Sequence, residues 1–186
     1  MRIIAGTYRG RSLRTVRDLS VRPTTDRAKQ TIFDILSTRI EFEGIRVLDL
    51  FAGSGSLGLE ALSRGAGSAV FVDSSRQVHE LLVANIRNLG CEPQCTLYQA
   101  DVFRFLKTMN GKFDLVFADP PYKLERIGAL PRAIHESDVS KDGTYVVMEH
   151  SRESPIDLPD SMYEIIRKPF GQTTVLILKT LPKQSP

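Results

Sequence analysis

Val47-Leu48-Asp49-Leu50-Phe51-Ala52-Gly53-Ser54-Gly55-Ser56-Leu57-Gly58 is an apolar run that passes into a glycine-rich turn and at once into a helical pattern. Glycine suits such a turn because a Cβ would obstruct both the tight bend and the approach of a ligand to the backbone. The spacing Gly53-x-Gly55-x-x-Gly58 fits nicotinamide and flavin binders as well as S-adenosylmethionine binders. By itself it leaves that choice open.

Outward from this stretch, short apolar runs recur at Ile45–Leu50, Ala69–Asp73, Thr96–Gln99, Leu115–Asp119 and Tyr145–Glu149. Helical patterns at 56–64, 74–89, 101–109 and 124–136 separate them, and Val78, Leu81, Leu82, Ile86 and Leu89 share one face of the second. Apolar strands alternating with helices predict right-handed crossovers and a parallel sheet covered on both sides. Met162–Lys168 and Thr173–Thr180 have no helix between them and are expected to pair antiparallel. The fold class is therefore α/β: a Rossmann-like, seven-stranded, mostly parallel sheet with an antiparallel C-terminal hairpin, an arrangement that resembles the methyltransferase variant of the doubly wound fold. Before it, Arg22-Pro23-Thr24-Thr25-Asp26 reads as a helix start, and Ala28, Ile32, Ile35, Leu36 and Ile40 follow at helical spacing up to Glu43-Gly44.

Two acids mark the strand ends. Asp73 lies 18 residues after Gly55, where a carboxylate can accept hydrogen bonds from both ribose hydroxyls. Asp101, in Gln99-Ala100-Asp101-Val102, is placed either to meet an adenine edge or to cap a helix. The sharpest motif is Asp119-Pro120-Pro121-Tyr122. An amine conjugated to a base is a poor nucleophile because its lone pair is delocalised into the ring. Asp119 and the Pro120 carbonyl can accept hydrogen bonds from it and favour a pyramidal nitrogen. Pro120 and Pro121 fix the turn, and Tyr122 offers a face on which a base can stack. These four residues are the candidate catalytic set.

The net charge of +3 is unevenly spread: residues 1–17 carry Arg2, Arg9, Arg11, Arg14 and Arg17 and no acid. Residues 1–22 therefore read as a basic arm or hairpin, 23–182 as the catalytic domain and 183–186 as a frayed tail. A basic arm on a near-neutral body points to a polyanionic partner. The opening residues lack the long apolar segment of a signal peptide, and no apolar run approaches membrane-spanning length. Cys91 and Cys95 are too few for a disulfide framework and lack the further ligands of a metal site. His79, His135 and His150 are scattered, and Lys29 reads as a surface lysine.

The chain resembles the RsmD-type family, which methylates N2 of a guanine in 16S ribosomal RNA. The similarity is carried by Arg2-Ile3-Ile4-Ala5-Gly6-Thr7-Tyr8-Arg9-Gly10-Arg11, Arg22–Arg27 leading into Phe33, Asp49–Gly58 continuing through Ala66, and Asp119–Tyr122. It implies S-adenosylmethionine as cofactor and S-adenosylhomocysteine as product. The implied contacts are Asp49, Phe51, Ala52, Gly53, Ser54 and Gly55 in the first loop, Asp73 and Ser74 at the ribose, Asp101 and Val102 at the adenine, and Thr24 near the methionine part. It further implies RNA contacts at Arg2, Arg9, Arg11, Arg14, Arg22 and Arg27, and guanine 966 as the base, presented by the small ribosomal subunit or an assembly intermediate. Methyl transfer would be direct, without a metal, by a cytoplasmic monomer. The resemblance sets Glu at the end of the second strand in many relatives where this chain has Asp73, and the shorter carboxylate would weaken or water-mediate the ribose contact. N6 of adenine and N4 of cytosine offer the same kind of amine, so adenine or cytosine methylation, and the nicotinamide or flavin oxidoreductase, are the competing readings.

Overall fold

The computed structural model describes residues 1–15, 26–121 and 124–182. The elements are α1 (Asp26–Ser37), β1 (Arg46–Leu50), α2 (Ser56–Ser63), β2 (Ser68–Asp73), α3 (Arg76–Leu89), β3 (Cys95–Gln99), α4 (Val102–Thr108), β4 (Phe113–Ala118), α5 (Leu130–Glu136), β5 (Ser140–Ser151), β6 (Met162–Phe170) and β7 (Thr173–Thr180). They build one seven-stranded sheet in the order β3-β2-β1-β4-β5-β7-β6. The pairs from β3 to β5 are parallel, and β7 runs antiparallel to both β5 and β6. This is the expected fold, with the last strand inserted between its two predecessors.

Alternation along the strands divides the core into two layers. Val47, Phe71, Leu115 and Phe117 face one side, where Phe33 of α1, Leu59 of α2 and Leu82 and Ile86 of α3 cover them. Leu48, Leu50, Val70, Val72 and Val116 face the other, against Phe105 of α4 and Leu130 and Ile134 of α5. Side chains two apart share a face of a pleated strand, so strands buried on both sides read as nearly continuous apolar runs, interrupted in β1 by the buried Asp49.

Two helices differ from their expected extents. The 124–136 segment is a 3-10 turn, Ile127–Ala129, followed by α5. Pro131 has no N–H to donate back to Ile127, so the helix must restart there. Helix α1 ends at Ser37, short of Ile40. The Ser37, Thr38 and Arg39 side chains donate to carbonyls of its last turn, at 2.7 Å from Phe33 and at 2.8 and 2.9 Å from Ile35. Its start signal at Thr24 and Thr25 lies outside the described residues, as do residues 183–186.

The basic arm folds as a hairpin, with the Ile3 N–H donating to the Arg11 carbonyl and the Leu13 N–H to the Met1 carbonyl. Ile3 and Leu13 are buried in the first core layer, so the arm is packed onto the sheet domain. At its turn a Cβ on Gly6 would lie 1.7 Å from the Ser63 carbonyl oxygen, which makes glycine obligatory there. Glu60 of α2 holds the arm from beneath, accepting from the Ile4 and Ala5 N–H groups at 2.7 and 3.0 Å.

Here the surface assignment of Lys29 is corrected. Lys29 is fully buried in α1, 3.3 Å from the Glu60 carboxylate, and donates to the Arg2 carbonyl at 2.6 Å. Its position matches the apolar stripe of α1, and a buried cation is tolerable there only because the carboxylate and carbonyl wait for it.

Candidate active site

A doubly wound sheet opens a crevice where its strand order reverses, outside the carboxyl ends of the strands. Here that point lies between β1 and its neighbours: Leu50 pairs with Val72 on one side and Ala118 on the other. The residues following all three strands therefore stand side by side.

The β1 loop is held in an unusual backbone conformation. Phe51 has φ 57°, Gly53 φ 53° and Gly55 φ 77°. The Ala52 N–H donates to Val72 and the Gly55 N–H to Ala52. The three glycines have different reasons to be glycine. A Cβ on Gly55 would fall 2.4 Å from Leu82 Cδ1, and one on Gly58 2.4 Å from Phe71 Cε1. A Cβ on Gly53 would meet nothing closer than 3.9 Å. Gly55 and Gly58 let α2 press against α3 and β2, while Gly53 borders open space.

Asp73 fastens this loop to the end of β2. One carboxylate oxygen accepts from the Gly53 N–H at 3.1 Å and the other from the Ser75 N–H at 2.9 Å. An ionised carboxylate has about four acceptor sites, so capacity remains for further donors. Ser74 beside it is exposed. Asp101 caps α4, accepting from the Arg104 N–H at 2.9 Å. The capping alternative is thus realised, and its outer lone pairs still face solvent because Asp101 is exposed. Val102 is buried in the second layer. At the end of β4, Asp119 is half-buried, Pro120 buried and Pro121 exposed, with the Pro121 carbonyl accepting from Leu124 N–H at 2.9 Å.

Asp49 is the buried acid of the site, 2% exposed, accepting from the Gly58 N–H at 2.9 Å. Burial pushes its carboxyl well above the usual range, the Gly58 bond opposes this, and the negative charges of Asp119 and Asp73 raise it further. Three carboxylates therefore converge on one rim. Between the ordinary pKa of 3.8 and the raised folded value, the folded chain keeps a proton that the unfolded chain has lost. Stability from this group accordingly falls as pH rises through that window. Asp49→Asn keeps an acceptor for Gly58 and removes the charge. It is expected to raise the apo-protein Tm at pH 7 by roughly 2–4 °C, the effect of about 1 kcal/mol in a chain of this size. Melting curves across pH check this, and a lower Tm at pH 7 would contradict it.

The sequence-derived site residues thus fall into groups. Asp49, Phe51, Ala52, Gly53, Ser54, Gly55, Asp73, Asp101 and Asp119 lie along the strand ends. On the arm, Arg2, Arg9, Arg11 and Arg14 are exposed. Arg2 pairs with Asp26 at 3.6 Å and Arg11 donates to the Asn88 carbonyl at 2.8 Å. Arg27 is exposed in the first turn of α1. Thr24, Arg22 and Tyr122 lie outside the described residues. Of the discounted groups, Cys91 and Cys95 are free thiols with sulfurs 3.8 Å apart. His150 is buried at the end of β5, with its pKa lowered by burial. Sequence reasoning missed Glu60 and Asn85. The available signals were an acid inside the wholly apolar face of α2 and an amide within the stripe Leu82, Ile86, Leu89.

A parallel sheet closed by a reversed β7, with a glycine loop after β1 and acids after β2 and β4, defines the class I methyltransferase fold. The structure of yhhF from Escherichia coli is similar over 98% of this chain and 99% of that one, with TM-score 0.86 and 29% identity. YlbH of Bacillus subtilis is 37% identical, covering 96% of this chain and 98% of its own. The ribosomal RNA small subunit methyltransferase D of Haemophilus influenzae is 34% identical over 92% of this chain and 89% of its own. Residues 1–179 match the family described as conserved hypothetical protein 95, and the chain belongs to this family, the RsmD type that its sequence resembles. Family and fold together decide the glycine formula against the nicotinamide and flavin reading.

Proposed function

We propose that this chain methylates N2 of a guanine in 16S ribosomal RNA, guanine 966 in the family, by direct in-line transfer from S-adenosylmethionine. The observation that carries the reading is the adjacency of the Gly53 loop and Asp119-Pro120 at paired strand ends, Leu50 beside Ala118. The name of the Haemophilus relative, a ribosomal RNA small subunit methyltransferase, supports the choice of substrate.

The residues present fit the cofactor. The open side of Gly53 can admit it, the remaining acceptor sites of Asp73 suit vicinal ribose hydroxyls, and Asp49, Asp73 and Asp119 favour a cation. S-adenosylmethionine supplies an electrophilic methyl group on a positively charged sulfur. Asp101 and Val102 flank the adenine, with Phe51, Ala52, Ser54, Gly55 and Ser74 completing the cleft wall and Thr24 reaching the methionine part. Asp119 accepts a hydrogen bond from the amine and stabilises the positive charge that develops on its nitrogen. Tyr122 stacks on the base. A sulfonium near Asp73 and Asp119 would favour ionisation of Asp49, so Asp49→Asn is also expected to weaken S-adenosylmethionine binding more than binding of the product, whose thioether sulfur is uncharged.

The target is presented by the small subunit or an assembly intermediate to a cytoplasmic monomer, and displacement from a sulfonium requires no metal. Arg2, Arg9, Arg11, Arg14, Arg22 and Arg27 contact phosphate. Replacing Arg9 and Arg14 by Gln is expected to reduce the salt slope of RNA binding by roughly 1–2, since each phosphate left without its arginine lowers the slope by about 0.7 to 0.9. Titrations at several salt concentrations measure it, and an unchanged slope removes the phosphate role. The central test incubates labelled S-adenosylmethionine with small subunits lacking the modification and maps the product by mass spectrometry. Label on N2 of guanine is expected. Label on adenine N6 or cytosine N4 would reassign the base, and none would overturn the activity.

A further inference from the structure

The carboxamide of Asn85 ties three separate segments together. It lies on α3, 1% exposed, in a stripe otherwise filled by Leu82, Ile86 and Leu89. Its Oδ1 accepts from the Arg14 N–H at 2.8 Å, and its Nδ2 donates to the Arg14 carbonyl at 3.0 Å. The second Nδ2 hydrogen goes to the Ser54 carbonyl at 2.9 Å. One acceptor and two donors are thus all engaged. The other strand of the hairpin reaches the same place, with Met1 Sδ 3.7 Å from Ser54 Oγ.

A leucine would fill this stripe, and a buried amide is tolerated only when fully bonded. Ser54 sits between Gly53, which borders the open cleft, and Gly55. Arg14 belongs to the exposed basic arm. Asn85 is therefore the joint between the loop assigned to the cofactor and the strand assigned to RNA.

Resting on the function proposed above, we infer that Asn85 is a positioning residue that couples cofactor binding to RNA binding. A filled cleft fixes the Ser54 carbonyl, which fixes the Asn85 amide, which fixes the backbone of the arm at Arg14. RNA gripping the arm works back along the same bonds. Such coupling is reciprocal: each ligand must tighten the other by the same factor.

The test measures affinity of a labelled rRNA fragment with and without saturating S-adenosylhomocysteine, and the converse, in wild type, Asn85→Leu and Asn85→Asp. Wild type is expected to show mutual tightening of about 5–10-fold, within the usual range for coupled sites. Asn85→Leu preserves the apolar stripe, and Asn85→Asp sets carboxylate oxygen against both carbonyls that the amide served. Both are expected to bring the factor to within about twofold of unity. A purely structural role would weaken each ligand alone and leave the ratio unchanged, which would overturn the inference. Hydrogen exchange in wild type needs no variant: S-adenosylhomocysteine is expected to slow exchange at the Arg14 N–H. Unchanged exchange there also overturns it. If wild type binds neither S-adenosylhomocysteine nor RNA, the functional reading itself has failed and the coupling falls with it. If it binds both without coupling, only the inference fails.

Discussion

Asp119→Ala is expected to lower methyl transfer by about 10²–10⁴-fold, the usual scale for a lost proton acceptor or charge-stabilising group, while affinity for S-adenosylhomocysteine changes little. Asp119 directly follows Ala118, the last residue of β4, and the buried Pro120 fixes the backbone after it. The amine of a base becomes nucleophilic only as its lone pair leaves the ring. A carboxylate accepting from that nitrogen stabilises the change more in the transition state than in the ground state. In the proposed assignment the product, whose thioether sulfur is uncharged, is held through the Gly53 loop and Asp73, which the substitution leaves in place. Single-turnover rates and calorimetric titration separate the two effects. Asp119→Asn retains an acceptor oxygen and should recover part of the rate. Equal loss of turnover and product affinity in Asp119→Ala would remove its assignment to the chemical step.

The largest effect on stability is expected from Glu60→Leu. Its carboxylate is fully buried, takes the Ile4 and Ala5 N–H groups, accepts from Arg64 Nε at 2.9 Å and faces Lys29 Nζ at 3.3 Å. Burial lowers the Lys29 pKa, and Glu60 opposes that shift. Leucine would strand a buried ammonium and orphan two backbone donors. Breaking one side of a buried pair typically costs about 3–5 kcal/mol, and the corresponding fall in Tm is roughly 6–20 °C for a chain of this size. Thermal melting measures it. Adding Lys29→Met should recover part of the loss, because the second substitution removes the uncompensated charge. A Tm within about 2 °C of wild type, where surface changes fall, would show that the network holds nothing.

These two sites differ in how far the sequence announced them. The place of Asp119 was legible because its cause is local: an apolar strand followed by two prolines sets the end of β4 and a rigid turn after it. The strands were equally legible, since a sheet buried on both faces writes unbroken apolar runs, and the β1 turn needs glycine whatever surrounds it. Asp73 and Asp101 could be placed at strand ends by counting. Their hydrogen bonds to the Gly53, Ser75 and Arg104 N–H groups could not be counted, because the first bridges two strands and all depend on local backbone direction.

Lys29, Glu60 and Asn85 carried no comparable signal. A lysine or asparagine in a helix normally faces water, and nothing near either in sequence supplies the groups that compensate its burial. Apart from Arg64 beside Glu60, their partners come from 27 to 71 positions away, at Arg2, Ile4, Ala5, Arg14 and Ser54. The sequence by itself determined the sheet, its glycine turn and the acid-proline turn beside it, because strand burial and backbone sterics act over a few residues. Only the tertiary structure decided that the basic arm is fastened to the cleft, because burying polar groups depends on which distant donors and acceptors the fold brings to meet them.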